Sequence, residues 1–211
     1  MWVPDVYHGA PLAVTVFLGS VPKIAAVAML LRVLAETLGG AVAGWSQMMM
    51  VLAVLSILLG NFAAVAQFNL KRMFAYSTVS HMGFVLMAAL AGSATGFSAA
   101  LFYIITYALT AAGGFAMLIL LGQSGKEAQT LDDLKGLHER HPWYAFIMLL
   151  LLLSMAGVPP LVGFYAKLSA IQAVVEAGYV WAAVFMVVLS VVGAFYYLRA
   201  IKCMYFEKAE Q

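Results

Sequence analysis

Residues 154–168 read SMAGVPPLVGFYAKL, and this stretch decides the architecture. Proline lacks a backbone donor and clashes with the carbonyl four residues back, so an α-helix cannot pass through Pro159-Pro160 undisturbed. Gly163 follows, and Lys167 stands about two turns beyond the prolines. The apolar segment around this interruption starts near Trp143 and extends past Ala173, longer than the about 20 residues that cross a bilayer core. Two half-helices with a break around 158–163 are therefore predicted. Broken helices at membrane depth occur only where they are packed in protein or line a cavity, and ion sites are built there.

The rest of the chain supports a membrane setting. Of its 211 residues, 65% are hydrophobic and 9% charged, against about 25% charged in ordinary soluble domains. That excludes a soluble domain and a disordered tail, and a net charge of +2 is too small for a nucleic-acid surface. The expected fold is all-α, one polytopic domain over residues 1–211. Its six predicted transmembrane helices run from about Leu12 to Leu34, Met48 to Gln67, Met73 to Leu90, Ser98 to Leu121, Trp143 past Ala173, and Val180 to Phe206. The runs are continuously apolar, which excludes a β-barrel.

Loop charge sets the expected orientation. Lys71, Arg72, Lys126, Lys135 and Arg140, together with Arg199, Lys202 and Lys208 of the last span, fall on the side of both termini. Arg32 alone falls opposite, so the termini are predicted cytoplasmic. Trp143, Tyr144, Tyr196, Tyr197 and Tyr205 would form an aromatic belt on that side. Residues 123–141 read as a cytoplasmic connection, with LDDLKGLHER (131–140) as an amphipathic surface helix.

Two ionisable residues fall inside spans. Lys23 is near the middle of the first, directly after Pro22, and Lys167 is in the second half of the broken one. A mid-bilayer charge costs at least about 2.5–3.5 kcal/mol, so such residues face a protein-lined or hydrated interior. Desolvation lets a lysine load and release a proton, which makes both candidates for a proton relay. The alternative is a lysine that snorkels or makes a structural ion pair, and Arg32 and Arg199 are close enough to helix ends to snorkel. Pro22, Pro159, Pro160 and Gly163 are read as helix-breaking residues. In the third span Ser77 and His81 share a face, as do Tyr76 and Ser80. Tyr103, Thr106, Tyr107 and Thr110 recur at helical spacing in the fourth. His81, Ser77 and Tyr107 are candidate relay members, or else hydrogen-bonded packing residues. No Asp or Glu lies mid-span, so a counter-ion is expected from outside the chain. Cys203 alone permits no disulfide or cluster ligation, Gly125-Lys126 lacks the surroundings of a phosphate loop, and His138 with His141 is too few ligands for a metal. No cofactor or metal site is expected.

Several words of this sequence together identify a resemblance: WVPDVYHGAP (2–11), VPKIA (21–25), NLKRMFAYSTVSHMGF (69–84), LKGLHERHP (134–142) and the opening SMAGVPPLVGFYAKL. Nearly the whole chain resembles the subunit N family of bacterial respiratory complex I, the antiporter-like proteins related to mitochondrial NADH dehydrogenase subunit 2. The resemblance implies a fold of inverted repeats, of which this chain looks like the C-terminal half. It implies that Lys23 is the central-axis lysine, Lys167 the broken-helix lysine near the proton exit, and His81 a group on the path between them. Proton translocation in a bacterial inner-membrane complex is then expected, with electron transfer in other subunits. The expected partners are those membrane-arm subunits, the missing N-terminal half and the lipid bilayer, not nucleic acid. A Mrp-type cation/proton antiporter subunit and a non-conducting scaffold are the alternatives.

Overall fold

A computed structural model describes residues 2–122 and 127–208; Gly125 and Lys126 lie outside the described residues. Regular structure there is helical: α1 Val3–Gly9, α2 Leu12–Arg32, α3 Val42–Val65, α4 Leu70–Ala89, α5 Ala94–Leu121, α6 Leu137–Arg140, α7 Pro142–Ala156, α8 Val162–Glu176 and α9 Val180–Phe206. A π-turn, Val33–Thr37, extends α2. Side chains cap two of the long helices: Asn69 Oδ1 accepts from Arg72 N (3.1 Å) and Ser93 Oγ from Gly96 N (3.1 Å), satisfying donors that a helix start leaves open.

Among the described residues, four helices are long and apolar enough to cross a membrane: Leu12–Thr37, Gly44–Val65, Ala94–Leu121 and Val180–Phe206. The other two predicted spans do not qualify on length and composition, for separate physical reasons. The 20 residues of α4 include Lys71, Arg72 and the polar run from Tyr76 to His81. The predicted fifth span is divided, and α7 and α8 have 15 residues each.

Helix α4 is the centre of the bundle, with α1, α3, α5, α8 and α9 packed on it. It is buried on nearly every side, which its mixture of small, apolar and hydroxyl residues permits. A Cβ at Gly83 would lie 2.6 Å from Ile57 Cγ1 and 2.9 Å from Ala53 O, so glycine lets α3 and α4 approach closely.

The break falls where the two prolines require it. Helix α7 ends at Gly157, whose φ of +84° suits glycine, with Gly157 N bonded to Leu153 O (3.0 Å) and Val158 N to the same carbonyl (3.0 Å). The chain re-enters helix at Val162, so Gly163 lies in the first turn of α8 rather than in the gap. Its role is close approach: its N–H donates to Ser154 Oγ (3.2 Å), and a Cβ there would run into the Ser154 backbone.

Pro22 does not break its helix. Helix α2 continues through it from Leu12 to Arg32. The carbonyl left without its helical donor is that of Leu18, four residues back, and the Tyr7 hydroxyl donates to it (3.2 Å). A side chain thus replaces the missing backbone bond, and the helix survives.

The described part of the connection, 127–141, is a strap of two short turns, Asp132–Leu134 and Leu137–Arg140, divided at Gly136 (φ +65°) rather than one continuous helix. Its backbone pairs with the α3–α4 link through Leu70 N to Gln129 O (2.7 Å) and Leu131 N to Phe68 O (3.1 Å). Gly136 N reaches Glu207 O past the end of α9 (2.8 Å). Glu127 accepts from Leu12 N (2.8 Å) and from Lys71. Lys71, expected as a loop charge, is instead 2% exposed, and its ammonium also donates to Ala10 O (3.1 Å). Burial alone would raise the Glu127 carboxyl, but the hydrogen bonds from Lys71 and Leu12 and the nearby ammonium charge hold it below the usual glutamate range.

Candidate functional site

The two lysines meet the cost of burial differently. Lys23 sits half-buried on α2, at the floor of a cleft of ≈ 350 Å³ lined also by Trp2, Tyr7, Pro22, Ser56 and Met82. Its ammonium lies 5.2 Å from the ring centre of Tyr7 and 5.3 Å from that of Tyr107. It donates to Thr78 Oγ1 (3.2 Å). Two aromatic faces and a hydroxyl stand where an acid is absent.

Lys167 is 7% exposed. Its ammonium donates to Ala156 O (2.8 Å) and Ser190 Oγ (3.0 Å), and lies 5.6 Å from the centre of the Phe84 ring. Ala156 is the last residue of α7, so the ammonium caps a helix end whose carbonyls lack donors and whose dipole is negative. The prolines therefore do more than kink a segment: they create the carbonyl terminus that receives the lysine. A Cβ at Gly157 would lie 2.7 Å from Lys167 Cδ, so that glycine also makes room for the side chain.

The space between the lysines is polar. Thr78 Oγ1 and the Tyr107 hydroxyl are 2.6 Å apart. The Tyr107 ring packs on His81, centroids 4.5 Å apart. His81, 6% exposed, bonds through Nδ1 to the Tyr103 hydroxyl (2.9 Å) and through Nε2 to the Tyr197 hydroxyl (3.1 Å). A small cavity of ≈ 10 Å³, the scale of one water, is lined by His81, Tyr103, Tyr107, Thr110, Ser154 and Lys167. Ser77 donates to Phe74 O (2.8 Å) and lies beside Tyr107 and Tyr197. Further along the same α5–α8 seam, a wider cleft of ≈ 480 Å³ is bordered by Thr95, Ser98, Ser169, Gln172 and Glu176, with Thr95 Oγ1 donating to Glu176 Oε2 (3.3 Å).

The structure thus gathers Lys23, Ser77, His81, Tyr107 and Lys167 around one interior file. Pro159 and Pro160 hold the break beside it, Gly163 lines it, and Pro22 flanks Lys23. Several participants escaped the sequence reading. Tyr196 and Tyr197, assigned to an interfacial belt, are each 1% exposed and face α3 and His81. Arg199 does not snorkel: its guanidinium donates to Val65 O (2.9 Å) and to Gln67 O, closing the end of α3. Asn61 is buried between α3 and α9. Its polar side chain within the otherwise apolar run 57–66 was the one available signal.

Apolar helices, one of them broken, around an interior file of titratable and hydroxyl groups define a multi-pass membrane protein built like an ion or proton transporter. The family model described as "NADH:quinone oxidoreductase/Mrp antiporter, TM" matches residues 1–193, and the chain belongs to that family. It is 60% identical over 210 residues to the NADH-quinone oxidoreductase subunit N of Thioalkalivibrio sulfidiphilus, covering 100% of this chain and 44% of that protein. It is 61% identical over 207 residues to the subunit N of Thiobacillus denitrificans, covering 98% and 43%. The chain therefore spans less than half the length of these relatives. Among solved structures, respiratory complex I from Thermus thermophilus with bound aureothin contains a chain that superposes with a TM-score of 0.84 at 34% identity, covering 100% of this chain and 45% of the other. A Mrp complex from Dietzia sp. gives 0.90 at 25% identity, covering 99% and 39%.

Proposed function

We propose that this chain is part of a proton-translocating membrane-arm subunit of an NADH:quinone oxidoreductase, passing protons between Lys23 and Lys167. The observation that carries this reading is the file itself: an ammonium on Thr78, Thr78 on Tyr107, Tyr107 on His81, and a water-sized cavity from His81 to a second ammonium. The ring contact itself passes no proton, but Tyr107, His81 and Lys167 all border the same water-sized cavity, where one bridging water would connect them. Electron transfer and any redox cofactor are assigned to other subunits. The identity to subunit N relatives favours this assignment, and their greater length is the reason to place the remaining proton-handling groups and subunit contacts outside this chain.

The proposed topology keeps six crossings, with α4 as one and the α7–α8 pair as a broken one. Helix α4 is short of apolar residues because it lines the path, and the α7–α8 pair is short in each half because the chain is broken between them. The cationic residues near the ends of α3, α5 and α9 support a cytoplasmic placement of that face in a bacterial inner membrane.

The test is Lys23→Arg in the assembled complex, reconstituted in vesicles. Guanidinium keeps the charge and holds its proton too tightly to cycle. Proton pumping should fall at least tenfold while NADH oxidation with artificial acceptors persists. Undiminished pumping in that variant would make Lys23 a fixed charge and end the relay assignment. A cation/proton antiporter role has one observation in its favour, the close superposition on the Mrp chain; sodium-dependent proton flux by the same vesicles would select it.

A further inference from the structure

Thr78 stands where two spaces meet. It lines the cleft over Lys23, and Tyr107 lines the water-sized cavity that reaches Lys167. Their oxygens, 2.6 Å apart, join the two. Both residues are buried, at 2% and 4% exposure. Thr78 Oγ1 has three polar neighbours: the Lys23 ammonium (3.2 Å), the Phe74 carbonyl (2.9 Å) and the Tyr107 hydroxyl. The first can only donate and the second can only accept, whereas the third does either.

A hydroxyl has one hydrogen and two lone pairs, so two arrangements suit the site. In the first, Phe74 O holds the Thr78 hydrogen, a contact that threonine makes readily with the carbonyl four residues back in a helix. Both lone pairs then accept, from Lys23 and from Tyr107. Every contact is a hydrogen bond, yet no proton passes: the Thr78 hydrogen is turned off the path, and the Tyr107 hydrogen points back to Thr78. In the second, the Thr78 hydrogen turns to Tyr107, whose own hydrogen turns to a water in the cavity. Phe74 lies inside α4 and its carbonyl keeps its helical donor, so the turn strands no backbone group. No heavy atom has to move, because both acceptors already lie within bonding distance of the same oxygen.

Resting on the relay reading above, we infer that Thr78 is a two-position gate in the relay, closed with its hydrogen on Phe74 O and open with it on Tyr107. In the open arrangement one concerted shift balances. The Lys23 N–H bond breaks and Thr78 gains that proton; Thr78 gives its own hydrogen to Tyr107, and Tyr107 gives its own to the water. Lys23 is left a neutral amine, whose lone pair accepts the new Thr78 hydrogen. Reloading Lys23 removes that acceptor, since an ammonium has no lone pair, and the hydrogen returns to Phe74 O.

The test uses the assembled complex in vesicles. Thr78→Val removes the hydroxyl at nearly constant shape, and pumping should fall at least about tenfold, as for loss of a positioned proton-transfer group. Thr78→Ser keeps the hydroxyl and should pump close to the wild type. Groups that serve one step are not additive, so Thr78→Val combined with Tyr107→Phe should pump no worse than Thr78→Val alone. A threonine that only supports the ammonium would multiply the two losses. Thr78→Cys, whose thiol is a weak donor and acceptor, carries the same comparison where Thr78→Val does not assemble. The closed position is read by infrared spectroscopy with carbonyl-13C phenylalanine, the Phe74 band isolated as the difference from Phe74→Leu. In the resting complex this band should lie at lower frequency than in Thr78→Val or Thr78→Cys, because the carbonyl accepts a second hydrogen bond. Undiminished pumping in Thr78→Val, equal losses in Thr78→Ser and Thr78→Val, multiplied losses in the double variant, or an unmoved Phe74 band overturns the inference. Lys23→Arg decides the relay separately: impaired pumping there with normal pumping in Thr78→Val rejects the gate and leaves the relay standing.

Discussion

The Lys23 ammonium replaces its lost water with two tyrosine faces and one hydroxyl, whereas Lys167 uses the carbonyl end of a helix, a serine and a phenylalanine ring. The difference leads to unequal tolerances. Tyr107→Phe keeps the ring over Lys23 and removes only the hydroxyl on Thr78; pumping should slow about five- to tenfold with assembly unchanged, measured in vesicles. Lys167→Met keeps an apolar stem but leaves the Ala156 carbonyl without its cation. This variant should lose nearly all pumping and also unfold at a lower temperature, because a buried acceptor is unsatisfied. An unchanged melting temperature would mean that the helix-end contact contributes little. At this scale the sequence was informative about ammonium and imidazole, whose burial is expensive enough to be conspicuous. It was less so about hydroxyls, since a tyrosine in the last turns of a predicted span fits a membrane interface and an interior equally well. Tyr197 was misplaced for that reason, and Lys71 because a lysine in a predicted loop gives no sign of the carboxylate waiting for it.

Among the elements, the α7–α8 break was legible, because proline chemistry is local and depends on no partner. Pro22 was not, because the group that rescues its helix, the Tyr7 hydroxyl, comes from another element. The break also makes a packing prediction. Gly163→Ala would drive a methyl group into the backbone of Ser154 and push α8 off α7, costing about 1–3 kcal/mol. Gly44→Ala, where nothing lies within 4 Å of a Cβ, should be neutral or slightly stabilising in the same thermal-unfolding measurement. The strap predicts a pH dependence. Glu127 is held below its ordinary range when folded, so its contribution is present above the unfolded value and is lost as pH falls through the folded one. Protection of the Leu12 amide from hydrogen exchange, corrected for intrinsic rate, should therefore drop on acidification; in Glu127→Gln it should be lower and flat with pH.

For the whole molecule, the apolar surface is the outer one. Val191 and Leu109 are exposed, as are Phe62 and Met29, each on a different long helix, while hydroxyls and ammonium groups point inward. Such an inversion follows when lipid is the solvent. Val191→Asp should raise the insertion cost of α9 by about 2.5–3.5 kcal/mol in a translocon assay. Composition made this level legible from the start, down to the all-helical class. The number of crossings was harder to read, since a helix that lines a polar path must give up the apolar character by which crossings are recognised.

The strap has a mechanical corollary. It fastens together the start of α2, the link into α4 and the end of α9, all at one end of the bundle. A frame pinned at one end can swing only at the other. The opposite end holds the start of α5 and the end of α8, flanking the wide cleft with Glu176. An opening that wets Lys167 along the α5–α8 seam would therefore be expected at those two helix tips, away from the strap.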